Sequence, residues 1–316
     1  MPTERAVAEI LVKGYPYWAR VAAGMLGRAG FQARVWSPDP AHVPRAIRWC
    51  RPARWLWYLL GGPIRRAGAV HFVGATAPAG LVRACLWLGK RVILHWVGTD
   101  ALRASEPGTH SARLLGLAGR CVHFADSPEV ARELAALGVE AQVFRLLPET
   151  VVPPGPVPMP EEPAVLSYWA PGRRAFYGGD LVDALAEAFP ATRFYVAGSD
   201  GAGEPQHPNM TYLGRLDSLE DVYRQVSVLV RMPEHDSLSA MVLEMLARGR
   251  WVVYNRPFPH TETATTVEEA RAALGRSLAR REANEAGREY VRLNFSPQAE
   301  AQRIQPLYAS ILRGLA

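Results

Sequence analysis

Two carboxylates eight residues apart, Asp236 and Glu244, lie in the segment Val226–Tyr254. That segment reads as a buried strand, a polar loop, an amphipathic helix and a second buried strand. Glu244 sits between Met241-Val-Leu243 and Met245-Leu246, so an acid interrupts an otherwise apolar face. Burying an unpaired carboxylate is costly, and such an acid needs a partner or a ligand. The helix is expected to begin near Ser237 and to run on through Leu238 and Ser239. Its free N–H groups and dipole would seat phosphate oxygens. Plainer roles stand beside these: Asp236 and Ser237 as helix caps, and Glu244 as an ion pair with Arg248 one turn on. Glu234 is a rival first acid, at a spacing of ten.

Cations stand in the loop Trp169-Ala-Pro-Gly-Arg-Arg-Ala-Phe-Tyr-Gly-Gly179. Arg173 or Arg174 suits a phosphate group, because a guanidinium fork matches phosphate oxygens; a solvated turn is the alternative. His95-Trp-Val-Gly-Thr-Asp100 ends a buried strand. His95 there suits a ligand or a simple hydrogen bond in place, and Asp100 a substrate contact or a cap on the next helix. Gly14, in the turn Lys13-Gly-Tyr-Pro-Tyr17, lets a backbone approach closely. Tyr212-Leu-Gly-Arg-Leu216 offers Arg215 and Leu216 at another strand end. Gly198-Ser-Asp-Gly-Ala-Gly203 lacks dinucleotide spacing and reads as a flexible surface loop.

The Asp236–Glu244 spacing resembles the acid-x7-acid motif of the retaining GT-B glycosyltransferases, in particular family 4, also called group 1. The resemblance is strongest over residues 163–255. It implies that Asp236 contacts the hexose of a nucleotide-sugar and that Glu244 grips the ribose hydroxyls. Ser237, Leu238 and Ser239 fall among the donor-binding positions, and Arg215 and Leu216 at the edge that binds the base. Related enzymes clamp the donor diphosphate with an arginine and, five residues later, a lysine. Here Arg173 or Arg174 supplies the first, and Tyr177 falls where the lysine is expected. The segment from His95 to Asp100 resembles a His-Gly-Ser/Thr-Asp element, with Trp96-Val97 inserted. Where the family has several glycines after the first strand, only Gly14 stands. The implied activity is transfer of a sugar, with retention, from a nucleotide-diphospho-sugar to a glycan or lipid-linked acceptor. No metal and no cofactor beyond that co-substrate are expected. A degenerate relative that binds a sugar nucleotide or glycan without transfer is the alternative.

The elements that must position these groups follow from patterning. The chain has 316 residues, enough for two domains, with 49% hydrophobic and 21% charged residues. In residues 1–150, strands at Ala8–Val12, Gln32–Trp36, Ala69–Val73, Arg91–His95, Cys121–Phe124 and Ala141–Phe144 alternate with helical patterns. Alternation of this kind implies a parallel sheet covered on both faces. Residues 151–162 form a proline-rich linker, with five prolines between Val151 and Pro160. The pattern restarts over residues 163–295, with strands at Ala164–Tyr168, Arg193–Ala197 and Met210–Leu213. The expected class is α/β: two doubly wound, Rossmann-like domains facing a cleft. The resemblance implies that the terminal helix, residues 296–316, returns to the first domain.

The net charge of +6 is almost all arginine, since Lys13 and Lys90 are the only lysines. It favours anionic partners. The stretch from Arg45 to Leu60, followed by Arg65-Arg66, interleaves arginine with tryptophan. Residues 45–66 suit an anionic membrane surface or a core helix with snorkelling arginines; nucleic acid is not the expected partner. Cys50, Cys85 and Cys121 are read as buried free thiols. No apolar run approaches the roughly 20 residues of a membrane span, and Met1-Pro-Thr-Glu-Arg opens no secretory signal. A cytoplasmic protein is expected, peripheral at the inner face of the membrane if residues 45–66 bind lipid.

Overall fold

A computed structural model describes residues 9–36, 46, 50, 57, 62–74 and 78–313. The chain divides into two units, Met1–Pro148 with Pro297–Ala316, and Glu149–Ser296. Most of the arginine–tryptophan stretch within residues 45–66 lies outside the described residues, so the membrane expectation attached to it has no structural description here.

In the first unit the strands are β1 (Ile10–Gly14), β2 (Ala33–Val35), β3 (Ala69–Val73), β4 (Arg91–Trp96), β5 (Val122–Ala125) and β6 (Gln142–Val143). Between them run helices α1 (Pro16–Arg28), α2 (Pro63–Arg66), α3 (Ala79–Trp87), α4 (Thr99–Leu102), α5 (His110–Leu115) and α6 (Pro128–Ala136). The sheet is parallel, in the order β2-β1-β3-β4-β5-β6. Ile10, Leu11 and Val12 of β1 and all of β3 are buried, as a sheet covered on both faces requires. Pro16 opens α1, where its missing N–H costs nothing. At the end of β1, a Cβ on Gly14 would stand 2.3 Å from the Val73 carbonyl oxygen. That glycine is needed for β1 to approach β3.

The second unit repeats the plan. Its strands are β7 (Ala164–Tyr168), β8 (Arg193–Ala197), β9 (Met210–Gly214), β10 (Val228–Arg231), β11 (Trp251–Tyr254) and β12 (Glu262–Thr263). Its helices are α7 (Gly179–Ala188), α8 (Glu220–Gln225), α9 (Ala240–Ala247), α10 (Val267–Ala279) and α11 (Glu285–Asn294). The parallel order is β12-β11-β10-β7-β8-β9. The apolar core joins Val165, Val182, Leu185, Phe194, Val228 and Val253.

Two buried arginines tie the proline-rich segment to this unit. Arg250 donates to the Pro158 carbonyl at 2.8 Å and to the Tyr223 carbonyl at 3.0 Å. Arg248 donates to the carbonyls of Thr150 at 3.0 Å and Val151 at 3.4 Å. Burial lowers the Arg250 pKa to about 10.

The last helix, α12 (Pro297–Arg313), belongs to the first unit, where it packs on α1. Glu300 on it accepts the Arg145 backbone N–H at 2.8 Å. The cysteines are free. Cys85 is buried and Cys121 half-buried, but Cys50 is exposed, against the expectation of three buried thiols. Among the described residues, no helix is long and apolar enough to cross a membrane, and no group of three His, Cys, Asp or Glu could hold a metal ion.

Candidate functional site

The strand order of the second unit reverses between β7 and β10, so chain leaves these neighbours in opposite directions. Doubly wound sheets bind ligands beside the C-terminal ends of the strands at such a reversal. The loop leaving β7 carries Arg173, Arg174 and Tyr177, and the loop leaving β10 carries Asp236. The two loops touch: the Glu234 N–H donates to the Phe176 carbonyl at 2.8 Å. Gly178 makes the approach possible, because its φ is +73° and a Cβ there would meet the Met232 carbonyl oxygen at 2.6 Å.

Asp236 is nearly buried and held on three sides. Arg231, the last residue of β10, gives it a bidentate contact, Nε to Oδ2 at 2.6 Å and Nη2 to Oδ1 at 3.1 Å. The Tyr254 hydroxyl donates to Oδ2 at 3.0 Å. Glu234, the rival acid, is exposed. Neither Asp236 nor Ser237 caps the helix. The helix starts at Ala240, later than expected, and Ser239 is its N-cap, accepting the Val242 N–H. Ser237 and Leu238 are half-buried in the preceding loop.

The two arginines after β7 differ. Arg174 is spoken for by Asp180 and Asp183, which hold its guanidinium charged. Arg173 stacks over Phe176, 4.0 Å from the ring centre, and lies 5.7 Å from that of Tyr177. Tyr177 itself lies 5.5 Å from the Arg231 guanidinium.

Glu244 occupies the buried face of α9. Its carboxylate accepts the Tyr223 hydroxyl at 2.6 Å and the Thr150 hydroxyl at 3.0 Å. Burial raises its pKa, against the pull of those two donors. The ion pair considered with Arg248 does not form through the side chain. Arg248 donates to the Glu244 backbone carbonyl at 2.9 Å and pairs with Glu220 at 2.5 Å. Arg215 and Leu216 are exposed after β9. The loop at Gly198–Gly203 is tethered where a flexible one was expected: Glu204 accepts both Ser199 Oγ and Trp169 Nε1 at 2.6 Å.

In the first unit, His95 is sealed inside. Its Nε2 lies 2.9 Å from the Phe144 carbonyl oxygen and its Nδ1 3.1 Å from His71 Nε2. Both ring nitrogens are engaged, which removes His95 from the donor-binding candidates. Asp100 Oδ1 accepts the N–H groups of Val97 at 2.9 Å and Ala101 at 3.0 Å; it lies in the first turn of α4, whose N-cap is Gly98, so the capping role considered for it is not the one it fills. The need for Gly14 comes from packing against Val73.

Four residues of these networks escaped the sequence reading: Arg231, Tyr254, Tyr223 and Thr150. Arg231 carried a signal, a lone cation ending the apolar run Val228–Val230. The other three are drawn together only by the fold.

No family model matches the chain, and no curated protein matches it by sequence. Solved structures do match. Sucrose-phosphate synthase from Thermosynechococcus elongatus superposes with a TM-score of 0.70 at 14% identity, over 97% of this chain and 100% of that one. HepE from Anabaena, in complex with UDP and glucose, gives 0.70 at 11% identity, over 96% and 99%. TarM from S. aureus, in a complex that includes UDP, gives 0.61 at 10% identity over 77% of this chain. There the chain spans 55% of the neighbour's length. Two parallel six-stranded units and these likenesses together give the chain the GT-B fold.

Proposed function

We propose that this chain transfers a sugar, with retention and without a metal, from a nucleotide-diphospho-sugar to a glycan or lipid-linked acceptor. The observation that carries the reading is the reversal between β7 and β10. It gathers Arg173, Tyr177, Arg231 and Asp236 beside one pair of strand ends, where such sheets take nucleotides. HepE is held with UDP and glucose and with UDP-glucose, and the O-GlcNAc transferase GtfA with UDP and GlcNAc, which supports the donor class.

In this reading Glu244 receives the ribose hydroxyls and Arg173 faces the departing diphosphate. Catalysis is then placement of donor and acceptor, with fixed positive groups stabilising charge that develops on the leaving group. The sugar passes through an oxocarbenium-like centre, as in glycoside hydrolysis. Incubation with UDP-, GDP- and ADP-sugars, read by nuclear magnetic resonance for transfer or donor hydrolysis and for the anomeric configuration, tests it. An inverted product would remove the retaining mechanism.

One observation favours a second reading, a donor-binding protein without turnover. Asp236 is occupied by Arg231, and no lysine stands in the loop after β7. Binding of a nucleotide-sugar with neither transfer nor hydrolysis would select it.

Glu244→Gln is expected to weaken nucleotide binding by about 1.5–3 kcal/mol while the fold persists. The amide keeps the volume and loses the charged acceptor. Titration calorimetry showing unchanged affinity would remove Glu244 from the donor site.

A further inference from the structure

The Arg231–Asp236 pair is nearly buried, with side chains 11% and 12% exposed. A buried ion pair adds little stability over apolar residues of the same size, because lost hydration offsets the attraction. The rest of β10, Val228, Leu229 and Val230, is wholly apolar and fully buried. A cation at its end is therefore a poor way to stabilise the sheet, and its position suggests another use.

Arg231 sits on one of the two strands that flank the reversal, at the end where a ligand enters. Its Nε and Nη2 face Asp236, and Asp236 is itself fixed by Tyr254. The planar fork is thus aimed, and those two contacts leave the rest of its N–H donors for another acceptor. Gly178, at the start of the ten-residue helix α7, packs against the chain just after β10. That helix N-terminus adds a second source of positive potential close to the same strand end. The nearby arginines are placed differently: Arg174 is paired with two carboxylates, Asp180 and Asp183, and Arg173 lies on an aromatic ring.

We infer that Arg231 is the fixed cation of the diphosphate subsite and that Asp236 is a positioning residue which aims it. This inference rests on the glycosyl-transfer reading and deepens it. Asp236 is not a sugar contact in this arrangement, and a fixed cation at a strand end joins Arg173 of the loop after β7 at the diphosphate.

The test is calorimetric titration of uridine, guanosine and adenosine, and of their diphosphates, into the whole chain and its variants. The wild type is expected to bind one diphosphate far more tightly than its nucleoside. The double variant Arg231→Met with Asp236→Asn removes both charges and strands neither. It should keep nucleoside affinity and lose at least about tenfold of the preference for the diphosphate. Asp236→Asn alone keeps the cation but loosens its aim, and should lose a smaller part. Arg231→Gln, which retains an amide donor toward Asp236, supplies the same comparison should the double variant fail to fold. A folded variant lacking Arg231 with the full diphosphate preference overturns the inference and leaves glycosyl transfer standing. A wild type that binds none of the six ligands overturns both.

Discussion

Replacing Arg248 by methionine is expected to lower the stability of the second unit by about 3–5 kcal/mol. The side chain is 2% exposed. It reaches the Thr150, Val151 and Glu244 carbonyls, pairs with Glu220 and lies 4.8 Å from the centre of the Tyr223 ring. Methionine retains much of the stem's volume, so little cavity opens. Glu220 is partly exposed and recovers water. The loss falls on the three buried carbonyls, each left without its donor. A pair at the surface whose arginine is exposed, such as Arg276–Glu262, should give under about 1 kcal/mol for the same change. Urea unfolding, with hydrogen exchange of the β10 and β11 amides to localise it, measures both. Because Arg248 holds the Thr150 backbone while the Thr150 hydroxyl holds Glu244, nucleotide affinity should fall with stability. A loss below about 1 kcal/mol would mean that water replaces the guanidinium at those carbonyls.

Much of the fold was legible because alternation of buried strands and helices leaves a period that a parallel sheet must show. Ala69–Val73, Ala164–Tyr168 and Arg193–Ala197 are strands with the expected ends. Helices α10 and α11 and strand β12 were not anticipated. Helix α10 is rich in alanine and exposed glutamate and arginine, so its apolar stripe is weak, yet Thr266 and Glu269 form a capping box that announced it. Asn284, which caps α11 through the Gly287 N–H, was a similar signal. The later start of α9 is a matter of competing caps. Ser237 and Ser239 both fit by type, and Ser239 is the one at the N-cap, where it accepts the Val242 N–H.

The candidate site was legible by residue type and not by partner. That Glu244 needed company followed from its apolar neighbours. Helical spacing pointed to Arg248, whereas the company came from Thr150 and Tyr223, 94 and 21 residues away in sequence. Distances along the chain carry no information about such contacts. The same holds for His95. Its strand-end position suggested a ligand, but β3 and β4 pair with Val73 opposite His95, which puts His71 on the same face.

That histidine pair is expected to make the first unit acid-sensitive. The Phe144 carbonyl can only accept, so His95 Nε2 carries the proton and His95 Nδ1 must accept. His71 Nε2 then donates to it, and His71 Nδ1 accepts the Tyr308 hydroxyl at 2.8 Å. Every link of the chain needs neutral rings. Burial enforces this, lowering the His95 pKa to about 3 and that of His71 well below its usual value. In the unfolded chain each titrates near 6.5. The folded state therefore binds fewer protons below that pH, and the stabilisation is complete above about 6.5 and lost as the pH falls toward the folded values. For His95 alone the slope approaches about 1.4 kcal/mol per pH unit well below 6.5, which gives roughly 2.3 kcal/mol between pH 6.5 and 4.5. A glutamine at position 95 offers an N–H to Phe144 and an oxygen to His71 without titrating. Stability profiles from pH 7.5 to 4.5 for the wild type and His95→Gln should diverge below pH 6.5, with the variant the flatter. Carboxylates titrate in both proteins and cancel in the difference. Since His71 holds Tyr308 of α12, exchange of the α12 amides should rise on the same acid limb in the wild type. Parallel profiles would mean that the pair is already protonated in the fold, and that the tautomers assigned here are wrong.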